Sequence, residues 1–331
     1  MKTLSPRPRD LGSAQELRQM VQCLELYYRQ QKHQKEIAQA LGISSSKVSR
    51  LLKRAFGEGL IRVELDLPLN PRLGAALVQG FGLRDAVVVP AGGRGDVKEE
   101  LGAAAAAYFE KVAANGIRVG LSCGFTLYHT IRHLRERRFR DLTLYPLSGE
   151  STLRLVDLSP NTLVGMLAAK YRPHVVAYAL PVQHLTSLRQ IERERRRLLR
   201  QNVDIALVGI GLIAEGTTGF CSLAESYGVS VKTLRRLGVV GEVNYQPFDA
   251  GGKVVDRPEL RPLSRRMLSV TAERLQALSR ADSKYVIAVA GGRQKVAAIR
   301  AALSGRFLNV LITDEEAALA LVGSKPSSAA P

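Results

Sequence analysis

Residues 34–53 read QKEIAQALGISSSKVSRLLK, two short helical patterns joined by a tight turn. Ile37, Ala38 and Leu41 fall on one face of the first. Gly42 follows where the backbone needs a left-handed conformation that a Cβ penalises, and Ser44 is placed to cap the second helix. Val48, Leu51, Leu52, Ala55 and Phe56 then recur at the spacing of a core-facing stripe. The opposite face carries Ser45, Ser46, Ser49, Arg50 and Lys53, all polar, rich in donors and free of acid. A helix-turn-helix needs this arrangement to set its second helix in the DNA major groove. The small Ala38, the turn Gly42 and the branched Val48 let the two helices approach closely. The alternative is an ordinary helical hairpin with a solvated face. The candidate DNA contacts are Ser44, Ser45, Ser46, Lys47, Ser49, Arg50, Lys53 and Arg54. Arg50 and Ser49 are the base readers, and Lys53 and Arg54 the phosphate contacts.

Working outward, Leu17, Met20, Val21, Leu24, Tyr27 and Tyr28 form a helical stripe that supplies a third helix for this small domain. Residues 60–67, LIRVELDL, alternate like a strand or wing. Pro68 to Pro71 breaks that pattern and places a domain boundary near residues 65–72. The expected division is a helix-turn-helix domain over 1–68, an effector-binding and oligomerisation domain over 69–323, and a disordered tail over 324–331.

The chain has 331 residues, enough for two domains with real cores. Its 46% hydrophobic and 24% charged content is ordinary for a globular protein, but the formal net charge of +18 is not. Such a field favours polyanions. Cys23, Cys123 and Cys221 are too few and too far apart for a disulfide framework or a cysteine zinc site, and they suit a reducing cytoplasm. The polar, Pro-rich first residues lack the apolar core of a signal peptide. No apolar run has the length of a membrane span.

Beyond residue 70, short apolar runs alternate with helical stretches. Strands are expected at Ala86–Pro90, Ile117–Leu121, Leu142–Tyr145, Val175–Leu180, Val203–Gly209, Tyr285–Ala290 and Val310–Thr313. Helices are expected at Lys98–Asn115, Phe125–Arg137, Thr162–Tyr171 and Arg293–Ser304. This alternation predicts an α/β fold of right-handed βαβ units around a mostly parallel sheet. Ligands in such sheets bind beyond the carboxyl ends of the strands.

Three strand-ending turns carry candidate chemistry. Gly120 to Thr126 (GLSCGFT) offers glycines, a helix N-terminus and two hydroxyls for an anion; a purely structural turn uses the same residues. Ala290 to Lys295 (AGGRQK) is not a nucleoside triphosphate loop. It sets Lys295 in a first helical turn, where a cation is unfavourable unless an anion lies nearby. Asp204 to Gly211 (DIALVGIG) ends in a GxG without the third glycine of a dinucleotide site. His129 and His133 share a helix face, but no third ligand accompanies them, so neither a metal nor a cofactor is expected. Residues 189–200, RQIERERRRLLR, form a basic helix with Ile191, Leu198 and Leu199 as its buried seam. Its outer face suits solvent, an interface or RNA.

Taken together, the chain resembles the SorC-type sugar-binding transcriptional regulators of bacteria. The resemblance is carried by residues 35–61 (KEIAQALGISSSKVSRLLKRAFGEGLI), 119–127 (VGLSCGFTL), 202–211 (NVDIALVGIG), 238–255 (GVVGEVNYQPFDAGGKVV) and 286–322. It implies a Rossmann-like phosphosugar-binding domain related in fold to sugar-phosphate isomerases and glucosamine-phosphate deaminases. It also implies a dimer or tetramer whose grip on double-stranded operator DNA changes with a phosphorylated sugar. By position in the matching motifs, Ser122, Gly124 and Thr126 hold phosphate with Gly292 and Lys295 nearby, and Gly149, Glu242 and Asp249 line the sugar side. His33 stands where relatives often have a capping Thr, and residues 148–165 match less well than their flanks.

The competing reading is a phosphosugar isomerase or deaminase. Related deaminases carry an Asp-Gly-His group shortly after the GxG turn for acid–base chemistry. Here Leu212, Ile213 and Ala214 follow instead, and no catalytic triad is evident. A regulator, not an enzyme, is expected. An RNA-binding protein built on the basic helix would need aromatic residues for base stacking, which that helix lacks.

Overall fold

The computed structural model describes residues 14–30, 32–57, 60, 69–90, 96–137, 139–149, 158–171, 175–180, 187–216, 219–265 and 267–323. Its contacts divide the chain into Met1–Asp66 and Leu67–Pro331.

In the first unit, α1 (Ala14–Leu24) runs into a π-helical turn at Glu25–Arg29, followed by α2 (Gln34–Leu41) and α3 (Ser45–Gly57). Gly42 ends α2 in the left-handed region at φ 61° and ψ 34°, which lets the N–H of Ile43 reach the Ala38 carbonyl at 3.0 Å. The Ser44 hydroxyl accepts the Lys47 N–H at 3.2 Å and caps α3. Met20, Cys23, Ile37, Ala38, Val48, Leu51 and Ala55 form the core. The α1 stripe differs from expectation: Val21 and Tyr28 are exposed, and Cys23 is buried. The widened π turn shifts the helical phase after Leu24 and so displaces Tyr28; Val21 and Cys23 precede it and are not explained by it. Of the wing expected at residues 60–67 only Leu60 is described; residues 61–67, the Phe56 side chain and the tail 324–331 lie outside the described residues.

The second unit is a three-layer α/β domain. Its elements are α4 (Pro71–Phe81), β1 (Asp85–Val89), α5 (Val97–Val112), β2 (Arg118–Leu121), α6 (Phe125–His133), β3 (Leu142–Pro146), α7 (Pro160–Lys170), β4 (Val175–Ala177), α8 (Leu188–Leu199) and β5 (Ile205–Leu212). There follow α9 (Gly219–Ser226), α10 (Val231–Arg236), β6 (Gly241–Val243), β7 (Gln246–Phe248), α11 (Arg261–Ser264), α12 (Ala272–Arg280), β8 (Tyr285–Val289), α13 (Val296–Ser304), β9 (Val310–Asp314) and α14 (Glu315–Gly323). The sheet order is β1-β9-β8-β5-β2-β3-β4, all parallel. Its strands are apolar on both faces because helices cover both sides, and two core clusters result. From β2 the chain winds outward through β3 to β4, and from β5 it winds the other way through β8 and β9. The reversal lies between β2 and β5, where open sheets bind ligands.

All seven expected strands are present, with shifted ends. β5 runs on to Leu212 and leaves the parallel sheet to pair antiparallel with β6, whose hairpin partner is β7. This hairpin was not expected: each arm has three residues, and Pro247 lies in one of them. Its turn residues Asn244 and Tyr245 have φ of 49° and 64°, the double left-handed geometry of a type I′ turn without the usual glycine.

At the amino ends of the central strands, Asp204 accepts two hydrogen bonds from the Arg118 guanidinium, both at 2.9 Å, and one from Lys284. Burial raises the Asp204 pKa, but these bonds outweigh it and hold the carboxyl at about 2. A carboxyl depressed in the folded state contributes stability above its ordinary value and loses it as pH falls through the folded one. Asp204→Asn should therefore destabilise the protein by about 1–3 kcal/mol at neutral pH, and the deficit should shrink as pH falls from about 4 to about 2. Urea unfolding across that range measures it; a deficit independent of pH would exclude the carboxylate as its source.

Candidate DNA-contact surface and effector cavity

On the first unit, burying Val48, Leu51 and Ala55 turns the other face of α3 outward. Ser44, Ser45, Ser46, Arg50 and Lys53 are exposed, and Lys47 and Ser49 are half-buried. Two expected contacts have prior engagements. The Ser44 hydroxyl caps α3 and lies 3.0 Å from that of Ser46. The Arg54 guanidinium donates to Glu16 at 2.6 Å and braces α3 against α1. Arg54 thus pairs with a carboxylate of its own domain. Arg50 and Lys53 remain the outward cations of the helix.

On the second unit, a cavity of about 440 Å³ opens beyond the carboxyl ends of β2, β5 and β8. Its floor is the Gly209–Leu212 end of β5. One wall is the start of α6, with Gly124, Phe125 and Thr126; another holds Gln294 and Lys295 in the turn before α13; a third is the β6–β7 hairpin with Glu242, Asn244 and Tyr245. Two helix starts therefore face one space, an arrangement favourable to anions. Lys295, which the sequence places awkwardly against a helix dipole, points into the cavity and donates to the Ile210 carbonyl at 2.8 Å. Burial lowers its pKa, and Glu242 opposes that shift. Burial pushes the Glu242 carboxyl up to about 7, against the pull of the Tyr245 N–H and of Lys295. That N–H donates to Glu242 Oε2 at 2.7 Å. Opposite the same carboxylate, a Cβ at Gly211 would meet the Glu242 side chain and force it to shift.

Of the expected effector residues, Ser122, Gly124, Thr126, Glu242 and Lys295 come together here. Three do not line the cavity. Asp249 is spent within its own turn, accepting the N–H groups of Gly251 at 3.0 Å and Lys253 at 2.9 Å. Gly149 is buried and donates its N–H to the Leu268 carbonyl at 2.7 Å. Gly292 donates its N–H to Asp314, which also accepts the Ala317 N–H at 2.9 Å and so fixes the turn. Ser122 lines the cavity, but its hydroxyl proton goes to Asn244 Oδ1 at 2.9 Å; it holds the wall rather than offering a free donor.

Sequence reasoning missed Lys98, Phe125, Asn244, Tyr245 and Gln294. Lys98 Nζ sits 5.1 Å from the centroid of the exposed Phe125 ring. Asn244 and Tyr245 lie within the quoted GEVNYQPF stretch, but no periodicity marks them. Cys123 donates to the Tyr245 hydroxyl at 3.0 Å. Burial raises its pKa to about 11, so the thiol is a poor nucleophile. His133 pairs with Glu99 at 3.6 Å, and among the described residues no group is arranged to hold a metal ion.

Residues 69–323 match the family described as "Putative sugar-binding domain", and residues 19–58 match sigma-70 region 4. The deoxyribonucleoside regulator of Bacillus subtilis (strain 168) is 27% identical, the alignment covering 91% of this chain and 96% of that protein. The sorbitol operon regulator of Klebsiella pneumoniae is 28% identical, with 93% and 98% covered. The crystal structure of full-length SorC from Klebsiella pneumoniae superposes with a TM-score of 0.65 at 26% identity, over 93% of this chain and 100% of that one. The domain match spans well over half of the sequence, and with the helix-turn-helix ahead of it the chain belongs to the sugar-binding-domain family of SorC-type bacterial transcriptional regulators.

Proposed function

We propose that this protein is a cytoplasmic transcriptional regulator, not an enzyme. Residues 1–68 bind operator DNA through α3, and residues 69–323 bind a phosphorylated sugar and form a dimer or tetramer. The matched relatives are named as regulators, one a deoxyribonucleoside regulator and one a sorbitol operon regulator. No helix among the described residues is long and apolar enough to cross a membrane. The observation that carries the effector reading is the convergence of two helix starts and Lys295 on one cavity. Phosphate would lie against Gly124, Thr126 and Lys295, where charge-assisted bonds are strongest. The sugar would extend toward Glu242. Two-fold operators require two recognition helices at fixed spacing, which favours an oligomer.

Screening phosphorylated sugars beside their unphosphorylated parents by thermal shift tests the effector class. A phosphorylated member should raise the melting temperature and its parent should not; equal shifts for both would refute a phosphate subsite.

Thr126→Val and Lys295→Ala should each abolish the effector's influence on operator binding while leaving effector-free binding near wild type. A ligand shifts an equilibrium only through its differential affinity for the two states. Calorimetry and gel shift read the two halves, and unchanged sugar-phosphate affinity in both variants would place the pocket elsewhere.

Arg50→Ala should cost about 1–3 kcal/mol of operator binding and blur preference at one base pair per half-site. Lys53→Ala should weaken all sequences alike. Equal losses on operator and random duplex for Arg50→Ala would remove it from base reading.

A further inference from the structure

We propose that the arginine face of α8 is a second DNA-contact surface, gripping phosphates of duplex that flanks the sequence read by α3. Residues 189–200 contain six arginines and two glutamates, an excess of four positive charges. The helix is fixed in orientation. Ile191, Glu194 and Leu198 are buried beneath it. Arg195 reaches back to the carbonyls of Ser264 at 2.9 Å, Arg265 at 3.2 Å and Met267 at 2.9 Å. That clamp presents the remaining arginines outward: the side chains of Arg193, Arg196 and Arg197 are 74%, 72% and 65% exposed. Arg189, Arg193, Arg196 and Arg200 recur at i, i+4, i+7 and i+11 along a shallow groove, a stripe about 16 Å long at 1.5 Å per residue.

The face is locally unfavourable without a partner. Arg189 and Arg193, Arg193 and Arg197, and Arg196 and Arg200 are like charges four residues apart, which destabilise a helix. Glu192 and Glu194 offset part of this, through contacts of 3.3 Å to Arg196 and of 3.7 and 3.8 Å to Arg193 and Arg197. Pairs with such exposed arginines are weak and readily exchanged for another anion. The cations are all arginine, whose planar fork fits phosphate oxygens two at a time.

Charge complementarity selects a polyanion, and the makeup of the face selects duplex DNA. It has no aromatic side chain on which single-stranded bases could stack. Its exposed apolar residue, Leu188, is too little for insertion into a bilayer. A second copy of the chain brings the same net charge of +18. On the DNA-binding reading, duplex is the polyanion this protein already takes as its partner.

The test uses the full-length protein and a duplex enriched from a random pool for tight binding, at minimal length and extended on both sides by random sequence. Fluorescence anisotropy is followed over a range of KCl concentrations. Wild type should bind the extended duplex more tightly and with a steeper salt dependence. The variant R193Q/R196Q/R197Q should lose that gain, its log–log salt slope falling by about two to three at roughly 0.9 per phosphate contact. The proposal rests on the DNA-binding reading, and unchanged binding of the minimal duplex by the variant separates the two. Lysines at the same three positions should restore much of the gain. Retention of the gain by the glutamine variant would overturn the proposal. So would equal loss on both duplexes, or a changed sedimentation coefficient, which would make the face a self-association surface.

Discussion

One buried amide side chain holds the cavity together. Asn244 accepts from the Ser122 hydroxyl at 2.9 Å and donates to the carbonyls of Leu147 at 3.0 Å and Val270 at 2.9 Å. It thus ties the hairpin after β6 to the ends of β2 and β3 and to the segment before α12. It is 2% exposed, so an unmade bond there would leave a polar group without water, at about 1–3 kcal/mol each. The bonds also hold the left-handed turn at Asn244 and Tyr245, a conformation costing non-glycine residues about 1–3 kcal/mol apiece. That turn aims the Tyr245 N–H at Glu242 and sets the Tyr245 hydroxyl beside Cys123. Strain in the hairpin and order in the cavity are therefore one feature.

The two ends of the parallel sheet divide the work. At the amino ends, Asp204 accepts from both Arg118 and Lys284, and the charges serve stability. At the carboxyl ends, strand β5 departs from its neighbours, and the gap between β2 and β5 is covered by helix starts and a hairpin instead of another strand. There the charges are left partly unmatched. Glu242 and Lys295 share the cavity without a hydrogen bond between them among the described residues, each held instead by a backbone group.

Much of this was legible in the chain itself. Val48, Leu51 and Ala55 repeat at helical spacing, and Gly42 and Ser44 punctuate the hairpin, so the helix-turn-helix follows from local rules. Buried parallel strands such as Ile205–Leu212 are continuous apolar runs with polar turns after them, so the sheet and its carboxyl-end turns follow too. The hairpin escaped because three-residue arms carry no period. The surroundings of Asp249 are not legible because a carboxylate in a matching motif looks the same whether it faces a ligand or caps its own turn; the N–H groups of Gly251 and Lys253 show that it caps its turn. The pairing of Arg54 with Glu16 is not legible because the two lie 38 residues apart in sequence. Lys98 and Phe125 come from separate helices that only the packing of α5 on α6 brings together.

The charge layout of the cavity also orients the ligand proposed for it. The helix start at Gly124–Thr126 raises the potential beside it, while Lys295 and Glu242 carry opposite charges near one another against Ile210 and Gly211. A dianion is therefore drawn to the Gly124–Thr126 side and held off the carboxylate. With its pKa near 7, Glu242 is present in both protonation states at neutral pH, so it can accept from a hydroxyl or donate to one. A polyol suits such a group because each hydroxyl is itself donor and acceptor. A phosphate held at one end and hydroxyls matched at the other constitute a sugar phosphate bound in a single direction. A free sugar would lack the charge that draws it to the helix starts, and inorganic phosphate would leave Glu242 without a hydroxyl partner.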